Sequence, residues 1–137
     1  MKEKVVIETS NAPGAVGPYS QAVQFGEMLF TSGQLPIDPA TGKMVDGPIA
    51  SRAHQVLKNL RAVIEAAGGR LDHVVKTTVF LADIRDFQEV NGVYAEYFTP
   101  PFPARSAFQV AALPLGADIE IEAIAFITPS HQTQDKP

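Results

Sequence analysis

Residues 72–83 read DHVVKTTVFLAD, and no other stretch limits the possible folds as tightly. β-Branched side chains dominate it, which favours a strand over a helix. Side chains on a strand alternate between two faces. Val75, Thr77, Val79 and Leu81 therefore share one face, and Val74, Lys76, Thr78 and Phe80 share the other. Apolar groups sit on both. A sheet holding this strand needs cover on two sides.

The neighbouring segments supply cover for one side. In residues 51–67, Val56, Leu60, Val63, Ile64 and Ala67 recur at three- and four-residue steps, so they form the apolar stripe of a helix. Gly68-Gly69 ends that helix. Residues 86–98 return to helical spacing through Phe87, Val90, Tyr94, Tyr97 and Phe98, until Pro100-Pro101 and Pro103 stop it. Upstream, 5–8 reads as an edge strand and 11–18 as a Pro/Gly loop. Residues 19–25 alternate as a strand that turns at Gly26-Glu27 into a second strand over 28–32. Turn residues fill 33–47, with room for one short ribbon, and 104–110 and 118–127 are the last two strands. The order ββ, helix, β, helix, ββ gives an α+β sheet with both helices on one face. The other face keeps either Val75 and Val79 or Val74 and Phe80. An exposed apolar sheet face marks association, so a homo-oligomer with pockets between subunits is expected.

At 137 residues the chain fits one domain over 1–128, with a polar, flexible tail over 129–137. Eleven Lys and Arg against fifteen Asp and Glu give a net charge of −4, which opposes a nucleic-acid footprint. There is no cysteine, so disulfides, thiolate nucleophiles and zinc–thiolate sites are excluded. No secretory signal and no membrane-spanning run of apolar residues is present, and the cytoplasm is the expected location.

His54, His73 and His131 show no metal-ligand spacing. No nucleophile elbow, P-loop or dinucleotide fingerprint occurs, and the short Gly14–Gly17 string is too proline-rich to cradle phosphate. Arg105 carries more information. It shares a strand face with Ala107 and Gln109, opposite Ser106, Phe108 and Val110, among few other charges. A guanidinium so placed needs an anion. It meets either a ligand carboxylate, which its planar fork suits, or an acid of the same protein. Glu120 and Glu122 share one face of the last strand. They could do proton work if their environments differ, or be a solvated strand face. Tyr19, Ser32 and Asn91 are isolated polar residues in apolar or Gly-rich settings.

The segments GPYSQA (17–22), TSGQ (31–34), VKTTVF (75–80), PARS (103–106) and IEIEAIA (119–125) together resemble the Rid (YjgF) family, above all its RidA-type branch. The resemblance runs in order over about residues 6–126. It implies a six-stranded mixed sheet with two helices on one face, similar to the small chorismate-mutase-like fold. It implies a homotrimer with an inner sheet barrel and clefts between subunits. The implied reaction is hydrolysis of reactive 2-imino acids and enamines (2-aminoacrylate, 2-iminobutanoate, 2-iminopropanoate) to 2-keto acids and ammonia, with no cofactor or metal. By the same resemblance Arg105 grips the substrate carboxylate and Glu120 positions or activates water. Tyr19, Ser32 and Asn91 hydrogen-bond the ligand or order water. Ala107 stands where many relatives have cysteine, which argues against thiol-based switching. The segment between Phe98 and Phe102 looks shorter than in many relatives and borders Arg105. Two other readings stay open: a non-catalytic sensor of small carboxylates such as 2-keto acids, and a deaminase of another imine, such as an aminomuconate-type substrate. Some relatives are described as ribonucleases or translation inhibitors, and the net charge of −4 argues against that use and against nucleic-acid partners. No membrane partner is implied.

Overall fold

Helix and sheet meet through the stripe predicted for the first helix. In the computed structural model, which describes residues 3–127, that helix is α1 (Ile49–Ala66). It begins two residues earlier than its apolar spacing suggests, because Pro48, with φ −70°, supplies the extended residue that precedes the first turn. Gly68 closes it in the left-handed region, at φ 88°, where a side chain would be strained. The Gly69 amide donates to the Ile64 carbonyl at 3.0 Å and completes the cap.

Eight strands follow the predicted order: β1 (Lys4–Ile7), β2 (Ala22–Phe25), β3 (Met28–Thr31), β4 (Ile37–Asp38), β5 (Lys43–Met44), β6 (Val74–Leu81), β7 (Ala104–Gln109) and β8 (Ile119–Phe126). A second helix, α2 (Phe87–Tyr97), links β6 to β7. Six strands form one sheet in the order β1-β2-β3-β8-β6-β7, and β4-β5 is a separate ribbon. Only β6 and β7 pair in parallel, because α2 carries the chain back to the starting edge between them. The sheet is therefore mixed, as expected.

Both helices lie on one face. Leu57, Leu60, Val63 and Ile64 of α1 are sealed against Leu29, Leu81, Ile119 and Ile121 of the sheet. Each such side chain contributes roughly 1.5–3 kcal/mol relative to an exposed position. Asn59 is buried among them, and its amide donates to the carbonyls of Leu35 and Ile37 at 3.1 and 2.9 Å. A polar group this deep stays only because it is satisfied. The bond also fixes the loop after β3 to the helix.

Two expectations need correction. The face assignment at the start of β6 is wrong by one residue. A bulge between Val74 and Lys76 turns Val74 into the core and leaves Val75 45% exposed. Beyond the bulge the alternation is as read, with Thr77, Val79 and Leu81 inside. The strand expected over 19–25 starts only at Ala22. Gln21 instead spends its buried side chain on the preceding loop. Its Oε1 accepts from the Thr9 amide at 2.8 Å, and its Nε2 donates to the Pro13 carbonyl at 2.8 Å. The tail expected over 129–137 and His131 lie outside the described residues.

The face away from the helices carries apolar rows beside a polar strip of Lys76, Thr78, Ser106, Glu120 and Glu122. Cross-strand partners share a face, so Val6, Val23, Phe30 and Ile124 form one row, and Phe80 and Phe108 meet edge-on at 5.4 Å. Phe30, Phe108 and Phe126 remain 40–44% exposed. Among the described residues no helix is long and apolar enough to cross a membrane.

Candidate active site

The structure gathers the candidate residues into two groups on opposite faces of the sheet. The first group surrounds Arg105. On β7 this residue is the register partner of Thr77, which places it on the helix side. Phe87, Asn91 and Tyr94 occupy one face of α2, at the four- and three-residue steps that align helical side chains. Asn91 Oδ1 accepts a hydrogen bond from Arg105 Nη1 at 2.8 Å. The guanidinium carbon lies 4.8 Å from the centre of the Tyr94 ring and 5.3 Å from that of Phe87. These contacts suit a cation, because ring faces carry negative potential. No acidic side chain among the described residues pairs with Arg105. Of the two partners the sequence left open, the internal acid is absent from the described residues. A cavity of about 430 Å³ opens beside the group, lined by Asn91, Tyr94, Ala95, Phe102, Pro103 and Arg105. Its floor is cationic and its walls are largely apolar.

The second group surrounds Glu120. On β8 it is the partner of Phe80, which places it on the open face together with Glu122. Burial pushes its carboxyl above the usual glutamate range, and the nearby charge of Glu122 adds to the shift. Gly33 makes the approach possible. A side chain there would overlap the Glu120 carboxyl, whose Cγ already lies 2.9 Å from the position of a Cβ. Ser32 Oγ donates to the Ser20 carbonyl at 2.6 Å and pins the loop that presents Tyr19. Tyr19 is half exposed and lines a cavity of about 250 Å³ with Gly33, Gln34 and Leu115. Leu115 adopts φ 59°, an unusual conformation for a bulky residue, at the rim of that cavity.

Within one chain, then, Asn91 joins Arg105, while Tyr19 and Gly33 share a second cavity that Glu120 abuts. The two groups do not meet. β6 lies between β7 and β8, so two strand spacings, about 10 Å of backbone, separate the two strands as well as the thickness of the sheet. Neither described histidine, His54 or His73, belongs to either group. His54 Nδ1 lies 2.9 Å from the Tyr97 hydroxyl, and His73 Nδ1 accepts from the Arg70 amide at 2.9 Å. Among the described residues no cluster of His, Asp and Glu is grouped to hold a metal ion. Three residues escaped the sequence reading: Gly33, Phe87 and Tyr94. The last two were visible as helical neighbours of Asn91, and Gly33 as the glycine beside Ser32.

A six-stranded mixed sheet with two helices on one side defines a small α+β protein. Comparison with known proteins places it further. The family model described as Endoribonuclease L-PSP matches residues 9–127. Human 2-iminobutanoate/2-iminopropanoate deaminase is 54% identical over 124 residues, which is 90% of each chain. The solved structure of a protein of the Rid family from Yersinia pestis is 52% identical, with a TM-score of 0.89 over 91% of this chain and all of the other. The structure of E. coli TdcF with bound serine is 44% identical, with a TM-score of 0.85 over 90% of this chain and 98% of that one. The chain belongs to the Rid (YjgF) family, as its motifs led one to expect.

Proposed function

We propose that this protein hydrolyses 2-imino acids and their enamine tautomers (2-aminoacrylate, 2-iminobutanoate and 2-iminopropanoate) to 2-keto acids and ammonia. The observation that carries this assignment is the unpaired guanidinium of Arg105, held by Asn91 and two rings at the floor of a cavity. The name of the human relative, and the serine bound to the E. coli relative, support a small carboxylate bearing nitrogen at C2. Arg105 takes the carboxylate through the donors that the Asn91 bond leaves available. Glu120 supplies the proton acceptor. Water adds to the imine carbon as one of its protons passes to the Glu120 carboxylate, and Glu120 returns that proton to the imine nitrogen. The carbinolamine then passes its hydroxyl proton through Glu120 to the amino nitrogen, and the C–N bond breaks to give the ketone and ammonia. An enamine first moves a proton to C3 to become the imine. The imine carbon is already electrophilic, so orientation and proton transfer are the enzyme's main contributions.

Arg105 and Glu120 face opposite ways in one chain, so the site forms between copies. The apolar open face supports their assembly into a homotrimer whose sheets line an inner barrel. Tyr19, Ser32 and Asn91 complete the cleft by hydrogen-bonding the ligand or ordering water. The small polar substrate and the absence of membrane-spanning helices among the described residues fit a cytoplasmic enzyme.

The test couples the protein to a serine dehydratase that releases 2-aminoacrylate, with semicarbazide trapping whatever imine survives. Less trapped semicarbazone and faster pyruvate release, both lost in Arg105→Ala, are expected. No effect of the wild-type protein on this imine or on the threonine-derived one overturns the assignment. Binding of 2-keto acids without turnover would then identify a carboxylate sensor.

A further inference from the structure

Arg105 is solvent-exposed and long, yet its head is held at three points. Two of those points, Phe87 and Asn91, belong to the partly exposed side of α2. The third is different. Tyr94 is only 6% exposed, and its hydroxyl shares a 2.8 Å hydrogen bond with Thr77, which is fully buried in β6. Its ring also packs at 4.6 Å against Phe98. Thr77 is in turn the register partner of Arg105 across the β6–β7 pair. The chain of contacts therefore closes on itself, from the Arg105 backbone through Thr77 and Tyr94 to the Arg105 guanidinium. The Tyr94 ring is fixed relative to the strand that carries the arginine, and the Asn91 bond occupies one nitrogen of the fork. What remains unbonded is the part of the guanidinium that borders the 430 Å³ cavity.

We infer that Tyr94, anchored by Thr77, is a positioning residue that holds the Arg105 guanidinium in register with the cavity for a small carboxylate. The substrate part of this inference rests on the role of Arg105 proposed above. The geometric part stands alone. Tyr94 acts here through Arg105. It limits the orientations of a flexible cation, and this preorganises carboxylate binding. Carboxylate binding is the same in ground and transition states, so its loss raises KM and spares kcat.

The test uses the full-length protein, with Tyr94→Leu to remove the ring, Tyr94→Phe to keep the ring without its anchor, and Thr77→Val as a near-isosteric change that keeps the whole tyrosine. Two readouts are taken: steady-state kinetics on the dehydratase-generated imine, and the Arg105 Nε–Hε resonance in proton–nitrogen correlation spectra. Tyr94→Leu is expected to raise KM roughly 10-fold with kcat within about twofold, and to change the Hε shift by removing one of the two rings beside it. Tyr94→Phe and Thr77→Val are expected to raise KM roughly two- to threefold and to broaden Hε. A folded Tyr94→Leu protein with unchanged KM and unchanged Hε overturns the inference. If that variant does not fold, an unchanged Hε resonance in both Tyr94→Phe and Thr77→Val overturns it. A wild-type KM in Arg105→Ala would instead refute the carboxylate role of the arginine. The Hε resonance would then decide the positioning of the guanidinium by itself.

Discussion

Asn91 accepts a 2.8 Å hydrogen bond from the guanidinium of Arg105, and no acid among the described residues takes its other donors. A neutral amide orients the cation without cancelling its charge. Arg105→Ala is therefore expected to lower kcat/KM on 2-imino acids by at least about 100-fold, the effect of losing one charge-assisted pair of about 2.7 kcal/mol. Arg105→Lys is expected to recover only part, because an ammonium cannot reproduce the fork. Steady-state assays on both variants check this.

In the proposed reaction Glu120 would set the acid limb of the pH profile. Its carboxyl is pushed up by burial and by Glu122, so kcat/KM is expected to fall on acidification at a pH above the ordinary glutamate range. Glu120→Gln is expected to abolish turnover while keeping carboxylate binding. The sign for stability is opposite. A raised carboxyl favours the fold while protonated, and that advantage is lost as pH rises through the raised value. At pH 7 Glu120→Gln is thus expected to melt above the wild type. The gap should close below about pH 4.3, where both side chains are neutral. Calorimetry across this range measures it.

Gly33 and Glu120 compete for one volume. Gly33→Ala would force the carboxyl aside, and the group that moves is the end of a flexible side chain rather than backbone. Turnover is expected to drop roughly 10-fold or more with little change in melting temperature. On a Glu120→Ala background the added methyl is expected to leave 2-keto acid affinity unchanged, because nothing remains to displace. Titration of a 2-keto acid into the single and double variants checks this.

Phe30 is 42% exposed in the middle of the open face. Phe30→Asp would place a charge where the proposed trimer is driest, and one unpaired buried charge is strongly destabilising. Light scattering is expected to report three chains for the wild type and one for the variant, with turnover lost in parallel. A wild-type protein that scatters as one chain would refute the shared site.

Mixing Arg105→Ala and Glu120→Gln subunits tests the sharing directly. At low substrate each variant alone is expected to turn over at about 1% of the wild-type rate or less. If the two residues of one site come from different chains, co-refolded mixtures contain some intact sites and recover a fraction of wild-type turnover. A mixture no more active than the variants alone would place both groups in a site made by one chain.

Much of this was legible beforehand. The 3.6-residue stripe from Val56 to Ala67 and the alternation of residues 119–126 located α1 and β8 because each buries one continuous face. The bulge was not legible. Two adjacent valines, Val74 and Val75, fit either face equally, and only the pairing with β8 decides which one enters the core. Gln21 misled for a related reason. Alternation continued through it, but its side chain serves the backbone of residues 9–13. Arg105 and Glu120 were each placed correctly on their own strands. Their opposition depends on the relative phase of β7 and β8, which both strands acquire through β6. Phase between strands is a tertiary property and leaves no mark in the local pattern.

Residues held on opposite faces of a sheet cannot be united by loop closure or rotamer change within the chain that carries them. In the proposed assembly, catalytic competence would obey mass action. Turnover per chain should be constant at high concentration and fall steeply once dilution passes the assembly constant, with a lag when dilute protein is concentrated again. Abundance, and not only chemistry, would set how much protection from reactive imines a given amount of this chain provides.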